Sequence, residues 1–193
     1  MPRELTEPDR TGIESLGNEA ALVQAAKVDG EAFSRLYRHY RLPIYRYCRA
    51  RSRTDEDAAD LAQQVFLRAF EALPRYEERG FPFGAWLYRL AHNAVIDAAR
   101  RPERTLPMEQ VLTPRERHLP NEPESSALEA DSLLRFQQLI APLTEERRHL
   151  LTLRFVLELP TAEIAGILGK RDTAIRSQLK RALASLKEQQ HGR

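Results

Sequence analysis

Residues 161–186 read TAEIAGILGKRDTAIRSQLKRALASL, and this stretch decides the fold of the C-terminal part of the chain. Thr161 is suited to cap a first helix, whose apolar residues follow the i, i+3, i+4 spacing of one helix face. Gly169 can adopt the left-handed backbone that ends a helix. A second helix is predicted to start at Asp172 or Thr173. The apolar faces consist of Ile164, Ile167 and Leu168 in the first helix and of Ile175, Leu179, Ala182, Leu183 and Leu186 in the second. The stretch therefore predicts two short helices joined by a tight turn, which is the helix-turn-helix form.

The outer face of the second helix carries the side chains that a helix needs to lie in the major groove of DNA. Cations neutralise phosphates there, and forked or amide donors bond the edges of bases. This face consists of Arg176, Ser177, Gln178, Lys180 and Arg181. For this stretch alone, a helical hairpin with an ordinary solvated basic face remains the alternative interpretation.

Length and composition allow one medium domain or two small ones, since the chain has 193 residues. The net charge is only +2, so affinity for nucleic acid must come from local clusters of cations. Cys48 is the single cysteine, which excludes an internal disulfide and indicates a reducing compartment. No apolar run approaches the roughly 20 residues of a membrane span, and the opening MPRELTEPDR does not have the form of a signal peptide. We therefore expect a cytoplasmic protein.

Helical periodicity also runs through the N-terminal half. A first helix is predicted to begin at Asn18, and a longer second helix contains Pro43 as a kink. Thr54 is predicted to cap a third helix, DEDAADLAQQVFLRAFEAL, whose first-turn carboxylates suit the positive end of the helix dipole. The second helix carries a stripe of mostly aromatic residues: Phe33, Leu36, Tyr37, Tyr40, Ile44, Tyr47 and Cys48. We interpret this stripe as core.

Two further surfaces of the N-terminal half have a composition that favours partners. On the third helix, carboxylates and amides lie beside Phe66 and Phe70, which indicates a docking surface for a protein. The predicted loop at 74–84 is aromatic, and the helix AWLYRLAHNAVIDAARR after it alternates aromatic residues with arginines. Aromatic rings and arginines together favour a platform for the unstacked bases of single-stranded nucleic acid.

Prolines break the chain between its two helical parts. A linker is predicted from Pro102 onward, followed by an amphipathic helix over 128–140 and a helix capped by Thr144. Leu150, Leu151, Leu153, Phe155 and Val156 of this last helix are expected to cover the helix-turn-helix. No strand alternation rivals the helical periods. The sequence thus predicts an all-α protein with two small helical domains, divided as tail 1–17, domain 18–101, linker 102–127, domain 128–188 and tail 189–193.

Three of these motifs, in this order, resemble the RNA polymerase sigma-70 family. They are DAADLAQQVFLRAFEAL, FGAWLYRLAHNAVIDAARR and the terminal stretch that begins LTEERRHLLTLRFVLELPTAEIAGILGK. The match is to the short extracytoplasmic-function group, which keeps only conserved regions 2 and 4. The resemblance implies a sigma factor that binds core RNA polymerase and promoter DNA, and it allows an anti-sigma factor that covers the polymerase-binding face.

The resemblance also implies roles for matching residues. Region 2 would bind polymerase through the face with Asp57, Asp60, Gln63, Gln64 and Phe66. It would also melt the minus-10 element and hold a flipped base, with Asn93 as the capturing residue. The minus-10 set is Arg75, Tyr76, Phe81, Phe83, Trp86, Arg89, Asn93 and Arg100. Region 4 would read the minus-35 element through Thr173, Arg176, Ser177, Gln178, Lys180 and Arg181.

This chain departs from the family at the recognition helix. Members often carry a Gly-Thr pair there and an arginine after the serine, whereas this chain has Thr173-Ala174 and Gln178. An amide prefers adenine edges and an arginine prefers guanine or phosphate, so the minus-35 sequence read by this chain stays open.

Two domains on one linker can reach both promoter elements. Elements centred near minus 10 and minus 35 are roughly 25 base pairs apart, or about 85 Å at about 3.4 Å per pair. A linker of roughly 25 residues extends to at most about 80–90 Å, at about 3.3–3.6 Å per residue. Binding both elements then gains from a high effective concentration.

Other classes of protein explain less of the sequence. The five histidines lack metal-ligand spacing, and neither a phosphate-binding glycine loop nor a nucleophile elbow is present, so we expect no enzyme, cofactor or metal site. His92, beside Asn93, is interpreted as part of the nucleic-acid surface. The main alternative is a polymerase-independent helix-turn-helix regulator of the LuxR type, which binds operator DNA as a dimer. A helical adaptor protein is a third class, and it leaves the arginine clusters unexplained.

Overall fold

The computed structural model describes residues 19–78, 81–100 and 127–191. Within these ranges the chain forms helices and one short 3-10 helix at Leu73–Arg75, and it contains no strand. The helices are α1 (Glu19–Ala26), α2 (Gly30–Arg49), α3 (Asp55–Ala72), α4 (Phe83–Arg100), α5 (Ala127–Ile140), α6 (Glu145–Phe155), α7 (Thr161–Leu168) and α8 (Asp172–His191). The all-α prediction is confirmed. The predicted N-terminal tail, the predicted start at Asn18 and the predicted linker up to residue 126 lie outside the described residues.

Two helix ends form as their sequences predict. The hydroxyl of Thr54 accepts a hydrogen bond from the backbone N–H of Asp57 at 3.0 Å, so Thr54 caps α3. Gly169 ends α7 with φ 62° and ψ 34°, the left-handed conformation that a residue without a Cβ adopts at no steric cost. α7 and α8 are joined through this glycine, which gives the predicted helix-turn-helix its turn.

Two predicted caps are wrong in detail. Thr161 is the first residue of α7 and not its cap, because the carbonyl oxygen of Pro160 already accepts the hydrogen bond from the N–H of Ile164. Thr144 precedes α6 as predicted, but its side chain makes no capping hydrogen bond. In both places backbone geometry starts the helix without a side-chain acceptor.

The first helical group, α1–α4, surrounds a core built on the aromatic stripe of α2. Tyr40 and Tyr47 of α2 and Tyr88 of α4 are fully buried, which confirms the interpretation of the stripe as core. Gly84 allows α4 to approach α2, because a Cβ at this position would lie 2.8 Å from the hydroxyl oxygen of Tyr40. Burial raises the pKa of the Cys48 thiol to about 12, so this cysteine is an unreactive part of the core.

The second helical group, α5–α8, packs α6 and α7 against α8. Most of the predicted apolar residues are buried there: Leu150, Leu151, Leu153, Ile164, Ile167, Ile175, Leu179, Ala182 and Leu186. Two predictions are wrong, because Leu183 is 45% exposed and Phe155 is 50% exposed. Both residues lie at the edge of an apolar helix face, and helical periodicity alone predicts that this whole face is buried.

The two helical groups touch each other. α7 packs against α4, and the buried residues of both groups form one continuous cluster. Helical spacing does not predict this contact, because the residues that form it are far apart along the chain.

Candidate nucleic-acid interface

A cavity lies between the 3-10 helix, the segment that follows it and α4. Its volume is about 470 Å³, within the range of about 300–1,000 Å³ for small-ligand pockets. Its lining consists of Ala72, Arg75, Tyr76, Glu77, Phe81, Trp86, Arg89, Leu90 and Asn93. Six of the eight residues predicted for the minus-10 element therefore line one cavity: Arg75, Tyr76, Phe81, Trp86, Arg89 and Asn93.

Packed aromatic rings form one wall of the cavity. The ring of Trp86 lies 4.8 Å from that of Tyr76 and 5.2 Å from that of Phe83, centroid to centroid. Phe83 is 3% exposed and does not line the cavity. It therefore fixes the positions of Trp86 and Tyr76 and does not present its own ring. Burial also raises the pKa of Tyr76, so its hydroxyl stays protonated and uncharged.

Polar and cationic groups border the aromatic wall. The guanidinium of Arg89 lies 5.9 Å from the centroid of the Phe81 ring, which is a cation–π geometry. Asn93 and Arg75 are exposed and line the same cavity. Arg100 is exposed at the end of α4 and outside the cavity lining. An aromatic wall beside arginines and one amide can stack an unpaired base, bond its edge and neutralise a phosphate.

The predicted reading face of α8 points away from the core. Thr173, Arg176, Ser177, Lys180 and Arg181 are exposed and Gln178 is half-buried, while Ile175 and Leu179 on the opposite face are buried. The helix thus presents cations and an amide along one side, as a helix that enters a major groove must.

Three contacts hold four of these side chains in place. Arg176 pairs with Asp172 one turn earlier at 2.8 Å, and the guanidinium of Arg181 donates to the hydroxyl of Ser177 at 3.1 Å. The amide oxygen of Gln178 accepts a hydrogen bond from Nζ of Lys170 at 3.3 Å. All three contacts are at the surface, where such pairs contribute little to stability and are easily replaced.

The predicted docking face of α3 needs one correction. Asp57, Asp60, Gln63 and Gln64 are exposed as expected. Phe66 is only 8% exposed and packs edge-on against Tyr37 at 4.8 Å, so it belongs to the core. The exposed large apolar residues of α3 are Leu67 and Phe70, at 57% and 52%.

His92 does not lie on an open nucleic-acid surface in this structure. Its Nδ1 is 3.3 Å from the hydroxyl of Tyr47, and its ring is 3.9 Å from that of His149 in the second helical group. The earlier interpretation of His92 is thereby corrected. The burial of His149 is not predicted by the sequence, because His149 is one polar residue on an amphipathic helix. Only the packing of the two helical groups shows that it is buried.

Among the described residues, no group of three or more His, Cys, Asp or Glu side chains could hold a metal ion. No helix in the same ranges is both long and apolar enough to cross a membrane.

Comparison with known families identifies both helical groups. The family described as Sigma-70 region 2 matches residues 36–105, and the family described as Sigma-70, region 4 matches residues 133–186. The ECF RNA polymerase sigma factor SigD of Mycobacterium tuberculosis is 37% identical over 175 residues, which cover 89% of this chain and 82% of SigD. The chain belongs to the extracytoplasmic-function group of the sigma-70 family. The cavity therefore lies in its sigma region 2, and α8 lies in its sigma region 4.

Other members of the sigma-70 family agree with this assignment. The ECF RNA polymerase sigma factor BldN of Streptomyces coelicolor is 32% identical over 166 residues, which cover 86% of this chain and 63% of BldN. The solved structure of CnrH in complex with the cytosolic domain of CnrY matches with a TM-score of 0.65 at 22% identity, covering 90% of this chain and 97% of CnrH. The latter likeness supports the fold of the two sigma regions.

Proposed function

We propose that this chain binds core RNA polymerase and directs it to promoters by reading a minus-35 element with α8 and trapping a minus-10 base in the cavity of region 2. The observation that supports this most strongly is the convergence of Trp86, Arg89 and Asn93 on one aromatic-walled cavity. Such a cavity suits a flipped base better than a duplex, because a paired base hides its edge. We also propose that the chain contributes no catalytic group, so that bond formation belongs to the polymerase.

The minus-10 step requires no chemical reaction by this chain. Unstacking and unpairing a base costs a few kcal/mol, and a pocket that stacks the base and bonds its edge offsets that cost. Trp86 and Tyr76 would supply the stacking surface, and Asn93 would bond the base edge. Arg75, Arg89 and Arg100 would hold the strand's phosphates. Polymerase contacts would supply the remaining free energy of melting.

The minus-35 step requires an intact duplex. α8 would be positioned on the phosphates by Thr173, Arg176, Ser177, Lys180 and Arg181, and the amide of Gln178 would reach a base edge. An amide at Gln178 favours adenine, whereas an arginine favours guanine. This assignment makes Gln178 a position at which the base preference of this chain should differ from that of family members with an arginine there.

Polymerase would bind the exposed face of α3. The four polar residues of the predicted docking face are exposed, and Leu67 and Phe70 add the apolar area that the core of an interface needs. We replace Phe66 by Phe70 in the proposed contact set. An anti-sigma factor is proposed as a second partner for this face, since a protein that covers it would keep the chain from polymerase.

The proposed organisation follows the two sigma regions. Residues 18–101 would form the unit that binds polymerase and the minus-10 element, and residues 128–188 would form the unit that binds the minus-35 element. Both would work in the cytoplasm, where the polymerase and the promoter are.

DNA selection with and without core polymerase tests the proposal. A random duplex library is incubated with the purified chain, alone or with core polymerase, and the bound DNA is sequenced. The proposal predicts a two-part sequence with a fixed spacing of roughly 25 base pairs, enriched only when polymerase is present. Strong enrichment of a palindromic site by the chain alone would contradict the proposal and favour a dimeric regulator.

A further inference from the structure

The contact between the two helical groups is made by side chains from both. Phe81 of the cavity lies beside Gly166 of α7, where an added Cβ would be 3.7 Å from the Phe81 ring. The side-chain amide of Gln137 donates to the backbone carbonyls of Arg49 at 2.6 Å and Ser52 at 2.9 Å. These contacts therefore hold region 4 against region 2.

A cluster of buried and partly buried polar side chains lies within this contact. We call it the latch and define it as Tyr47, Arg51, His92, Glu145 and His149. The Tyr47 hydroxyl is 2.5 Å from Nδ1 of His149, and the two rings meet edge-on with centroids 5.5 Å apart. Arg51 forms an ion pair with Glu145, and the Arg51 side chain is only 5% exposed. The latch thus joins α2, α4 and α6.

This packing has a consequence for promoter binding. A compact body of this size is about 40 Å across, whereas the two promoter elements are about 85 Å apart. The reading face of α8 and the cavity therefore cannot reach both elements while region 4 lies on region 2.

We propose that the packed arrangement is a closed state of the free chain, and that uptake of a proton by His149 opens the latch and releases region 4 from region 2. The statement that the closed state cannot occupy a promoter rests on the proposed function. The opening of the latch does not depend on it.

The groups around His149 disfavour a charge on its ring. His149 faces Tyr47 and Arg51 from the α2 side, His92 from α4 and Lys170 from the segment after α7, while Glu145 lies on its own helix. Burial lowers the pKa of His149 well below its usual value, and His92, Arg51 and Lys170 lower it further. Burial likewise lowers the pKa of His92, although Glu145 opposes that shift.

The direction of the pH effect follows from these shifts. In the open state His149 is in water and titrates near its ordinary pKa of about 6.5. In the closed state it stays neutral to lower pH, so the closed state is favoured above about pH 6.5 and is lost as pH falls below it. One proton lowers the ratio of closed to open chains about tenfold per pH unit, and a second proton on His92 steepens the change.

Energy transfer between two dyes on the full chain measures the opening. Glu71 of α3 and Ala184 of α8 are exposed and are replaced by cysteine for labelling, while the buried Cys48 stays unlabelled. The expected result is high transfer at pH 8 and a loss of transfer between pH 6.5 and pH 5, with helical circular dichroism unchanged. Constant transfer over this range, or a loss that coincides with loss of helix, would overturn the proposal.

Matched variants test whether the latch causes the pH-dependent loss of energy transfer. His149→Phe keeps a flat ring beside Tyr47 but cannot be protonated, so its loss of transfer between pH 6.5 and pH 5 should be smaller and less steep than that of the parent chain. His39→Phe removes a histidine outside the latch and should behave like the parent chain. A parent-like pH response in His149→Phe would overturn the role of His149.

A second variant covers the case in which His149→Phe fails to fold. Glu145→Gln removes the partner of Arg51, and Glu145 is one-third exposed, so its loss leaves each core intact. It should lower energy transfer already at pH 8, and unchanged transfer would overturn the latch. These measurements are made without polymerase or promoter DNA. A negative result would therefore contradict the latch and not the proposed function, and an absence of transcription would contradict the proposed function and not the latch.

Discussion

The guanidinium of Arg176 lies 2.8 Å from the carboxylate of Asp172, one turn earlier on α8. Arg176 is thus oriented along the exposed face of α8 before DNA arrives. Because the pair is at the surface, it contributes at most about 1 kcal/mol and yields readily to a phosphate or a base.

Replacing Arg176 or Lys180 by alanine should weaken binding to the minus-35 element. Each phosphate contact that is lost should reduce the salt dependence of binding by about one counterion. Equilibrium binding of a minus-35 duplex by the polymerase–chain complex, measured at several salt concentrations, gives this slope. Arg135→Ala on α5, where Arg135 pairs with Asp131 at 2.7 Å, is the control. An unchanged slope in both α8 variants would remove those residues from the interface.

Gln178→Arg should change which base is preferred at one position of the minus-35 element. An arginine bonds the edge of guanine and an amide bonds the edge of adenine, and each such pair discriminates by about 1–3 kcal/mol. Selection of minus-35 variants should therefore shift from adenine toward guanine at a single position. A uniform change in affinity for all sequences would mean that Gln178 contacts only the backbone.

Asn93→Ala should impair promoter opening and leave polymerase binding intact. The amide lost from the cavity is one of few groups that can bond the edge of a flipped base, so opening should fall by about tenfold or more. Reactivity of unpaired thymines at minus 10 measures opening. Asp97→Ala on the same helix removes only an exposed pair with Arg68 at 3.5 Å and serves as control. Equal loss of polymerase affinity in Asn93→Ala would show that Asn93 is structural.

Comparing Phe70→Ala with Phe66→Ala should separate polymerase binding from folding stability. Phe70 is exposed and packs edge-on against Phe33 at 4.9 Å, so its loss should cost about 1 kcal/mol of stability and lower polymerase affinity about tenfold or more. Phe66 is buried, and its loss should cost about 3–5 kcal/mol of stability. Chemical unfolding and polymerase titration measure the two effects. Full polymerase affinity in Phe70→Ala would place the docking surface elsewhere.

Local features of this fold could be predicted from the sequence. The cap at Thr54 and the turn at Gly169 depend on interactions within a few residues, and the sequence shows these directly. The buried stripe of α2 follows from helical spacing. The exposure of the polar face of α8 follows in the same way, because the opposite face of this helix is apolar.

Features that depend on packing between distant helices could not be predicted. Helical spacing places Phe66 and Phe70 on similar sides of α3, and only the ring of Tyr37 decides that Phe66 is inside. His149 is buried because Tyr47 lies against it, more than a hundred residues earlier in the chain. The contact of region 4 with region 2 therefore became visible only in three dimensions.

Run-off transcription with purified core RNA polymerase tests the central claim most directly. A template carrying the sequence selected by the chain and polymerase together is transcribed with core alone, with core and this chain, and with core and Asn93→Ala. We predict transcripts of one defined length only when the chain is present, and strongly reduced transcripts with Asn93→Ala. No transcripts above the level of core alone, from a chain shown to be folded, would contradict the account.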